Sequence, residues 1–213
     1  MIMRRPRFIA EQARNPKGPL GWVIAFIMAR ETWVENQRAI DALGIEAPDN
    51  ILDVGCGHGR SLAALAALAP EGHVVGTDPS ELMAGIAVWR NRKLVRQQRV
   101  DVRLAAVDAL PFPDATFDKA LCVHVAYFWN DLDAALGEIA RVLKPGGRLV
   151  LVFRTDANEA AVKAFPADVY RFRPLSEIVA RLKAAGFTIA QQDEAARDQL
   201  SGPVQLIATG ASA

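Results

Sequence analysis

Two kinds of stretch alternate along this chain. Short apolar runs occupy residues 51–54, 73–77, 100–106, 117–125 and 148–152, and longer helix-like stretches lie between them. Residues 100–106 alternate at period two and read as a strand. Residues 117–125 are apolar at most positions, which suits a strand covered on both faces. Residues 60–69 are rich in Ala and Leu and close at Pro70, so they predict a helix. Ser80 precedes the next helix as its cap, with Pro79 before it. Residues 141–152 read as a helix end, a Pro-Gly-Gly turn at 145–147 and a fifth strand. Strands alternating with helices predict βαβ units and a parallel sheet with helices on both faces.

The ends depart from this alternation. Residues 175–185 predict a helix stopped by Gly186. Residues 187–192 and 204–209 then read as strands with no helix between them, which implies an antiparallel hairpin at the sheet edge. Residues 155–174 form an insert carrying Phe165, Tyr170 and Phe172 among charges. Near the N-terminus Arg4, Arg5, Arg7, Arg14 and Lys17 cluster around a breaker at 15–19. A helix over 20–43 would show Trp22, Phe26 and Trp33 near one face. Three readings stay open for it: a helix covering the sheet, a lid over a ligand and an apolar acceptor, or peripheral contact with a membrane.

Composition narrows the class. The 213 residues are 51% hydrophobic with a net charge of +1, so one domain with a small appendage is expected and no global field points to nucleic acid. Cys56 and Cys122 fall at positions predicted to be buried, so neither a disulfide framework nor a metal site is expected, and a reducing cytoplasm is the default. The three histidines lack the paired spacing of a zinc site. No apolar run is long enough to span a bilayer.

Chemistry concentrates after the first strand. Asp53, Gly55, Cys56, Gly57 and Gly59 lie in a strand that ends in a glycine turn and feeds a helix. Glycines there let the backbone approach a ligand with no Cβ in the way. The spacing G-x-G-x-G differs from the dinucleotide fingerprint, whose third glycine comes one position later, and this weighs against a nicotinamide-dependent oxidoreductase. Asp78 ends the second strand, where a doubly wound fold places its ribose-binding acid. A carboxylate there accepts from both ribose hydroxyls.

These residues, with Val107-Asp108-Ala109-Leu110-Pro111-Phe112 and the run from Val142 to Leu151 (VLKPGGRLVL), resemble the class I S-adenosylmethionine (SAM)-dependent methyltransferases, of the methyltransferase type 11 or UbiE-like group. The resemblance is close over residues 51–153 and looser towards the C-terminus. It implies a three-layer, doubly wound α/β fold: a seven-stranded sheet, mostly parallel, with the last strand inserted antiparallel. An N-terminal helical extension, residues 1–45, would precede a SAM-binding domain, residues 46–213. The implied cofactor is SAM, leaving as S-adenosylhomocysteine. Asp108 would accept from the adenine amino group, with Ala109 and Leu110 beside the ring and Met83 stacked on it. Pro79, Val123 and His124 would complete the cofactor site.

Past the fourth strand stand His124, Tyr127, Phe128 and Trp129. Imidazole is the nearby group suited to taking a proton near neutrality, so His124 and Tyr127 are the candidate catalytic residues. His124 equally reads as part of the pocket wall, and the aromatics as packing. The expected partner is a small-molecule acceptor, with no nucleic acid, the protein being a monomer or homodimer. A SAM-binding protein without catalysis, or a lipid- or quinone-directed enzyme at a membrane surface, are the alternatives.

Overall fold

The computed structural model describes residues 5–192 and 202–211. Among them, a seven-stranded sheet is ordered β3-β2-β1-β4-β5-β7-β6. The strands are β1 (Ile51–Val54), β2 (Val74–Asp78), β3 (Val100–Leu104), β4 (Phe117–Val123), β5 (Leu143–Phe153), β6 (Thr188–Gln192) and β7 (Val204–Thr209). The first five pair in parallel, while β7 runs antiparallel between β5 and β6. This is the doubly wound sheet and C-terminal hairpin that the sequence predicts. The order reverses between β1 and β4, and in open α/β sheets ligands bind at such a reversal, beyond the strand C-termini.

Burial explains the strand sequences. Every residue of β1 and β2 is buried, as befits central strands with helices on both faces. Leu52 and Val54 point to the side covered by α7 (Leu132–Val142) and α9 (Leu175–Ala184), where Leu136, Ile139 and Leu182 pack. Ile51 and Val74 point to the other side, against α3 (Trp33–Ala42) and α4 (Arg60–Leu68), through Ala39, Ile40, Leu62 and Leu65. The Pro-Gly-Gly turn lies within β5, which begins at Leu143. Its register against β4 shifts there, from Phe117 opposite Leu143 to Lys119 opposite Arg148.

The remaining helices are α1 (Arg7–Arg14), α2 (Gly18–Glu31), α5 (Glu81–Arg90), α6 (Arg92–Arg96) and α8 (Glu159–Ala164). Ser80 caps α5, its Oγ accepting from the Met83 amide at 3.4 Å. The expected helix over 20–43 is instead two helices, broken at Thr32. The two halves pack differently. α3 buries Ala39, Ile40 and Leu43 in the core, whereas α2 lies outside it with Trp22 and Phe26 about half exposed. Trp22, Phe26 and Trp33 therefore do not share a face. α1 docks on the insert after β5: Ala10 packs with Tyr127, Val169 and Tyr170, and the Arg5 amide donates to the Ala164 carbonyl at 2.7 Å.

Candidate functional site

A cavity of about 340 Å³ opens at the C-terminal ends of β1, β2, β3 and β4. That is within the range of small-molecule sites. Its floor is residues 54–58 after β1, Thr77 to Pro79 after β2, residues 105–108 after β3 and residues 123–125 after β4. Met83 of α5 and residues 128–131 complete the walls. The N-terminal segment supplies the roof, through residues 13–16 and through Thr32, Trp33 and Asn36 at the α2–α3 break. Side-chain hydrogen bonds tie that roof down. Ser80 Oγ donates to the Pro16 carbonyl at 2.9 Å, and Arg14 Nη2 donates to Asn130 Oδ1 at 3.2 Å.

The acid at the end of β2 is fixed by backbone amides. Asp78 Oδ2 accepts from Gly57 N–H and Oδ1 from Ser80 N–H, both at 2.9 Å. Burial pushes its carboxyl up to about 6, against the pull of those two hydrogen bonds. Gly57 itself has φ +54°, and a Cβ there would meet nothing within 4 Å. Glycine is thus required by conformation, and the space beside it faces the cavity. His58 also lines the cavity; burial, with Arg90 adding to it, brings its imidazole down to about 4. The Arg60 guanidinium lies over the Trp33 ring at 3.9 Å and links the roof to the start of α4.

His124 occupies an unusual position. Its backbone is left-handed, φ +58°, a conformation that costs a non-glycine residue about 1–2 kcal/mol. Its amide donates to the Val152 carbonyl at 2.8 Å. Its Nε2 is hydrogen-bonded to Oε2 of Glu35 on α3, and Glu35 Oε1 also reaches Arg154 Nη2 at 3.4 Å. A carboxylate accepting at Nε2 places the proton there. Nδ1 is then the acceptor nitrogen, buried and without a partner among the described residues. A buried polar atom left unpaired is costly, and the residue that carries it lines the cavity. Burial opposes the charge on Glu35. The hydrogen bond and electrostatic attraction of His124, with the charges of Arg154 and Arg38, outweigh it and hold the carboxyl below its usual range.

Of the residues picked out in the sequence, Gly55, Cys56, Gly57, Asp78, Pro79, Met83, Asp108, Val123 and His124 line this one cavity. Five do not, and each has another occupation. Asp53 is buried on the α4 side of β1, where it accepts from the Ser61 hydroxyl. Gly59 opens α4, with φ +70°, where a Cβ would lie 2.7 Å from Ala87 Cβ, so it is glycine for helix packing. Leu110 is in the core, its amide donating to Glu138 Oε2 at 2.9 Å, and Ala109 is exposed beside it. Tyr127 packs with Phe128, Tyr170 and Phe172 at ring-centroid distances of 4.9–5.5 Å. Burial drives its phenol well above the ordinary value, with Tyr170 adding to it. Tyr127 is therefore corrected from a catalytic candidate to a packing residue behind His124. Glu35 is the residue that the sequence reading missed. Cys56 and Cys122 are both free and buried, and among the described residues no His, Cys, Asp and Glu cluster could hold a metal ion.

A doubly wound sheet with a ligand cavity at its order reversal, a glycine turn after β1 and a buried acid at the end of β2 together define a nucleoside-binding α/β protein. Residues 52–151 match a family model described as a methyltransferase domain. The chain is 31% identical over 168 residues to an uncharacterized methyltransferase of Bacillus subtilis, covering 78% of this chain and 86% of that protein. It is 33% identical over 181 residues to the demethylmenaquinone methyltransferase of Thermus thermophilus, covering 72% and 80%. A solved complex of the Haloferax volcanii Trm112 methyltransferase activator with a putative methyltransferase contains a matching chain. It superposes with a TM-score of 0.77 at 21% identity, over 97% of this chain and 99% of that one, and shows the shared fold. The chain belongs to the class I SAM-dependent methyltransferases, in the group that includes the UbiE-like enzymes, and its cofactor is SAM.

Proposed function

We propose that the protein methylates a small, largely apolar acceptor held beside His124, with His124 Nδ1 as proton acceptor and Glu35 as the residue that positions it. The observation that carries this reading is the orphaned Nδ1 on a ring fixed at the cavity wall through its other nitrogen. The cavity fits the cofactor: an acid fixed for two hydroxyls, an open face at Gly57 and a thioether at its edge. Asp78 would hold the ribose, Asp108 the adenine amino group, Met83 the adenine face and the Gly55–Gly57 backbone the amino-acid end.

When bound, SAM supplies an electrophilic methyl group on a sulfonium centre. The chain's share is orientation and proton management. Holding an acceptor in line beside a fixed imidazole removes much of the entropic cost of reaction. Phe128, Val125 and Trp129 give the acceptor side of the wall an apolar character. His124 Nδ1 takes the proton that an acceptor hydroxyl, amine or activated carbon loses. Glu35 stabilises the imidazolium so formed and keeps the ring from rotating.

Calorimetric titration with SAM and S-adenosylhomocysteine, with NAD as control, tests the cofactor; an acceptor screen read by S-adenosylhomocysteine release tests the transfer. Micromolar binding of both sulfur compounds and none of NAD is expected. Lack of SAM binding overturns the reading. SAM binding without turnover on any acceptor favours the non-catalytic alternative.

A further inference from the structure

α2 exposes an apolar face on the flank of the cavity. Trp22, Val23, Phe26 and Ile27 are 48–57% exposed and Leu20 is 42% exposed. An apolar patch of this kind on a folded protein marks an interaction surface. It continues onto α5. A Cβ on Gly21 would meet Leu82 Cδ2 at 3.0 Å, so α2 lies against the Leu82 side of α5. Trp89 stands two turns beyond Leu82 on the same stripe and is 62% exposed.

The border of this face is mostly cationic, its carboxylates being Glu31 at the end of α2 and Glu81 at the start of α5. From residue 82 to residue 100 the chain contains no Asp or Glu, yet it carries Arg90, Arg92, Lys93 and Arg96 on the surface. α2 has no carboxylate before its last residue, and Arg30 is its only cation. The Arg92 guanidinium lies 5.4 Å from the Trp89 ring, and that of Arg30 lies 5.8 Å from the Phe26 ring. Aromatic and aliphatic side chains edged by arginine and lysine match the boundary of an anionic bilayer, with apolar groups at the acyl level and cations at the headgroups. A second copy of the chain would bring the same cations together instead. No helix of the described residues is long and apolar enough to cross a membrane. α2, about 21 Å long for its 14 residues, suits lying in the interface plane.

The position of α2 adds a functional link. Pro16, just before it, and Thr32, just after it, both line the cavity. We infer that the α2–α5 face docks the protein on an anionic lipid surface, so that an acceptor dissolved in the bilayer enters the cavity from that side. The entry of an acceptor rests on the proposed methyl transfer; the docking itself does not.

Co-sedimentation of the full chain with vesicles tests this. Phosphatidylcholine vesicles are compared with vesicles of equal parts phosphatidylcholine and phosphatidylglycerol. Binding to the anionic vesicles is expected to be at least about tenfold tighter and to weaken with added salt. Phe26→Asp with Ile27→Asp, and separately Arg92→Glu with Lys93→Glu, should each reduce it about tenfold or more. SAM titration of the same variants, expected unchanged, shows that they remain folded. No binding to anionic vesicles, binding unaffected by both variants, or a solution dimer that the apolar variant turns into a monomer would overturn the docking. Absence of SAM binding would overturn the methyl-transfer reading alone, because vesicle binding is measured without cofactor.

Discussion

Glu35 and His124 lie 89 positions apart in sequence, yet the carboxylate of one grips the imidazole of the other at the wall of the cavity. The contact joins a helix of the N-terminal segment to the end of the central strand β4. It also leaves Nδ1 as the ring nitrogen without a partner among the described residues. The left-handed backbone of His124 is the strain that this placement carries.

If Glu35 positions His124, Glu35→Gln should lower turnover about 10- to 100-fold, and His124→Asn should lower it at least as far. SAM affinity should change little in either. Nitrogen NMR of the imidazole gives a readout that a purely structural role would not move. Wild type should show the proton on Nε2, and Glu35→Gln should show a mixed tautomer. An unchanged tautomer in Glu35→Gln would remove Glu35 from the mechanism.

Asp78 gives a prediction about binding. Its replacement by Ala removes charge-assisted hydrogen bonds, so SAM affinity should fall by about 1.5–3 kcal/mol. The carboxyl titrates near 6 because burial raises it, and ribose hydroxyls need its charged form. Wild-type affinity should therefore weaken by up to about tenfold per pH unit below pH 6, and Asp78→Asn should bind weakly at every pH in that range. Equal pH slopes in the two proteins would place the titrating group elsewhere.

What the sequence made legible follows from what each feature depends on. The strands were readable because each central run is buried on both faces, and Asp78 because it ends such a run. The break at Thr32 was hidden because no Gly or Pro marks it, and Arg30-Glu31-Thr32 reads equally as the polar turn of one continuous helix. Its one local sign is Thr32-Trp33-Val34-Glu35, the spacing of a capping box. In the folded chain Thr32 does not cap α3 by its side chain, and Glu35 is turned to His124. A residue that leaves its local role for a distant partner cannot be found from local pattern. Tyr127 failed for a related reason: the aromatic run at 127–129 sends Phe128 and Trp129 to the cavity and Tyr127 to the packing behind it.

Two glycines of the turn should separate when each is changed to alanine. At Gly57 the new methyl enters open space on the cavity side, so the fold should lose only the left-handed backbone cost, about 1–2 kcal/mol. SAM binding should drop about tenfold or more. At Gly59 the methyl meets Ala87, with Cβ at 2.7 Å and Cα at 2.9 Å. That overpacking costs about 1–3 kcal/mol beyond the backbone cost, or roughly 2–12 °C in Tm for a chain of this size. Melting curves and SAM titrations of both variants check this. A larger Tm loss at Gly57 than at Gly59 would reverse the assignment.

Asp53 makes the ligand-free protein sensitive to pH in an unusual direction. Burial lifts its carboxyl from 3.8 to about 7, the charge of Asp78 adds to this, and the Ser61 hydroxyl opposes it. Over that interval the folded chain keeps a proton that the unfolded chain has released. The folded state therefore binds more protons, and stability falls as pH rises from about 4 to 7. Asp78 acts in the same sense up to about 6. Glu35 acts in the opposite sense: its lowered value contributes stability above the ordinary glutamate range and loses it in stronger acid. Without SAM, wild type should melt at a higher temperature at pH 5 than at pH 8. Asp53→Asn keeps an acceptor for Ser61 and has no charge to bury, so it should melt higher than wild type at pH 8 and close to it at pH 5. A wild-type Tm that is flat between pH 5 and 8 would mean that Asp53 ionises in place at no cost, against the burial that surrounds it.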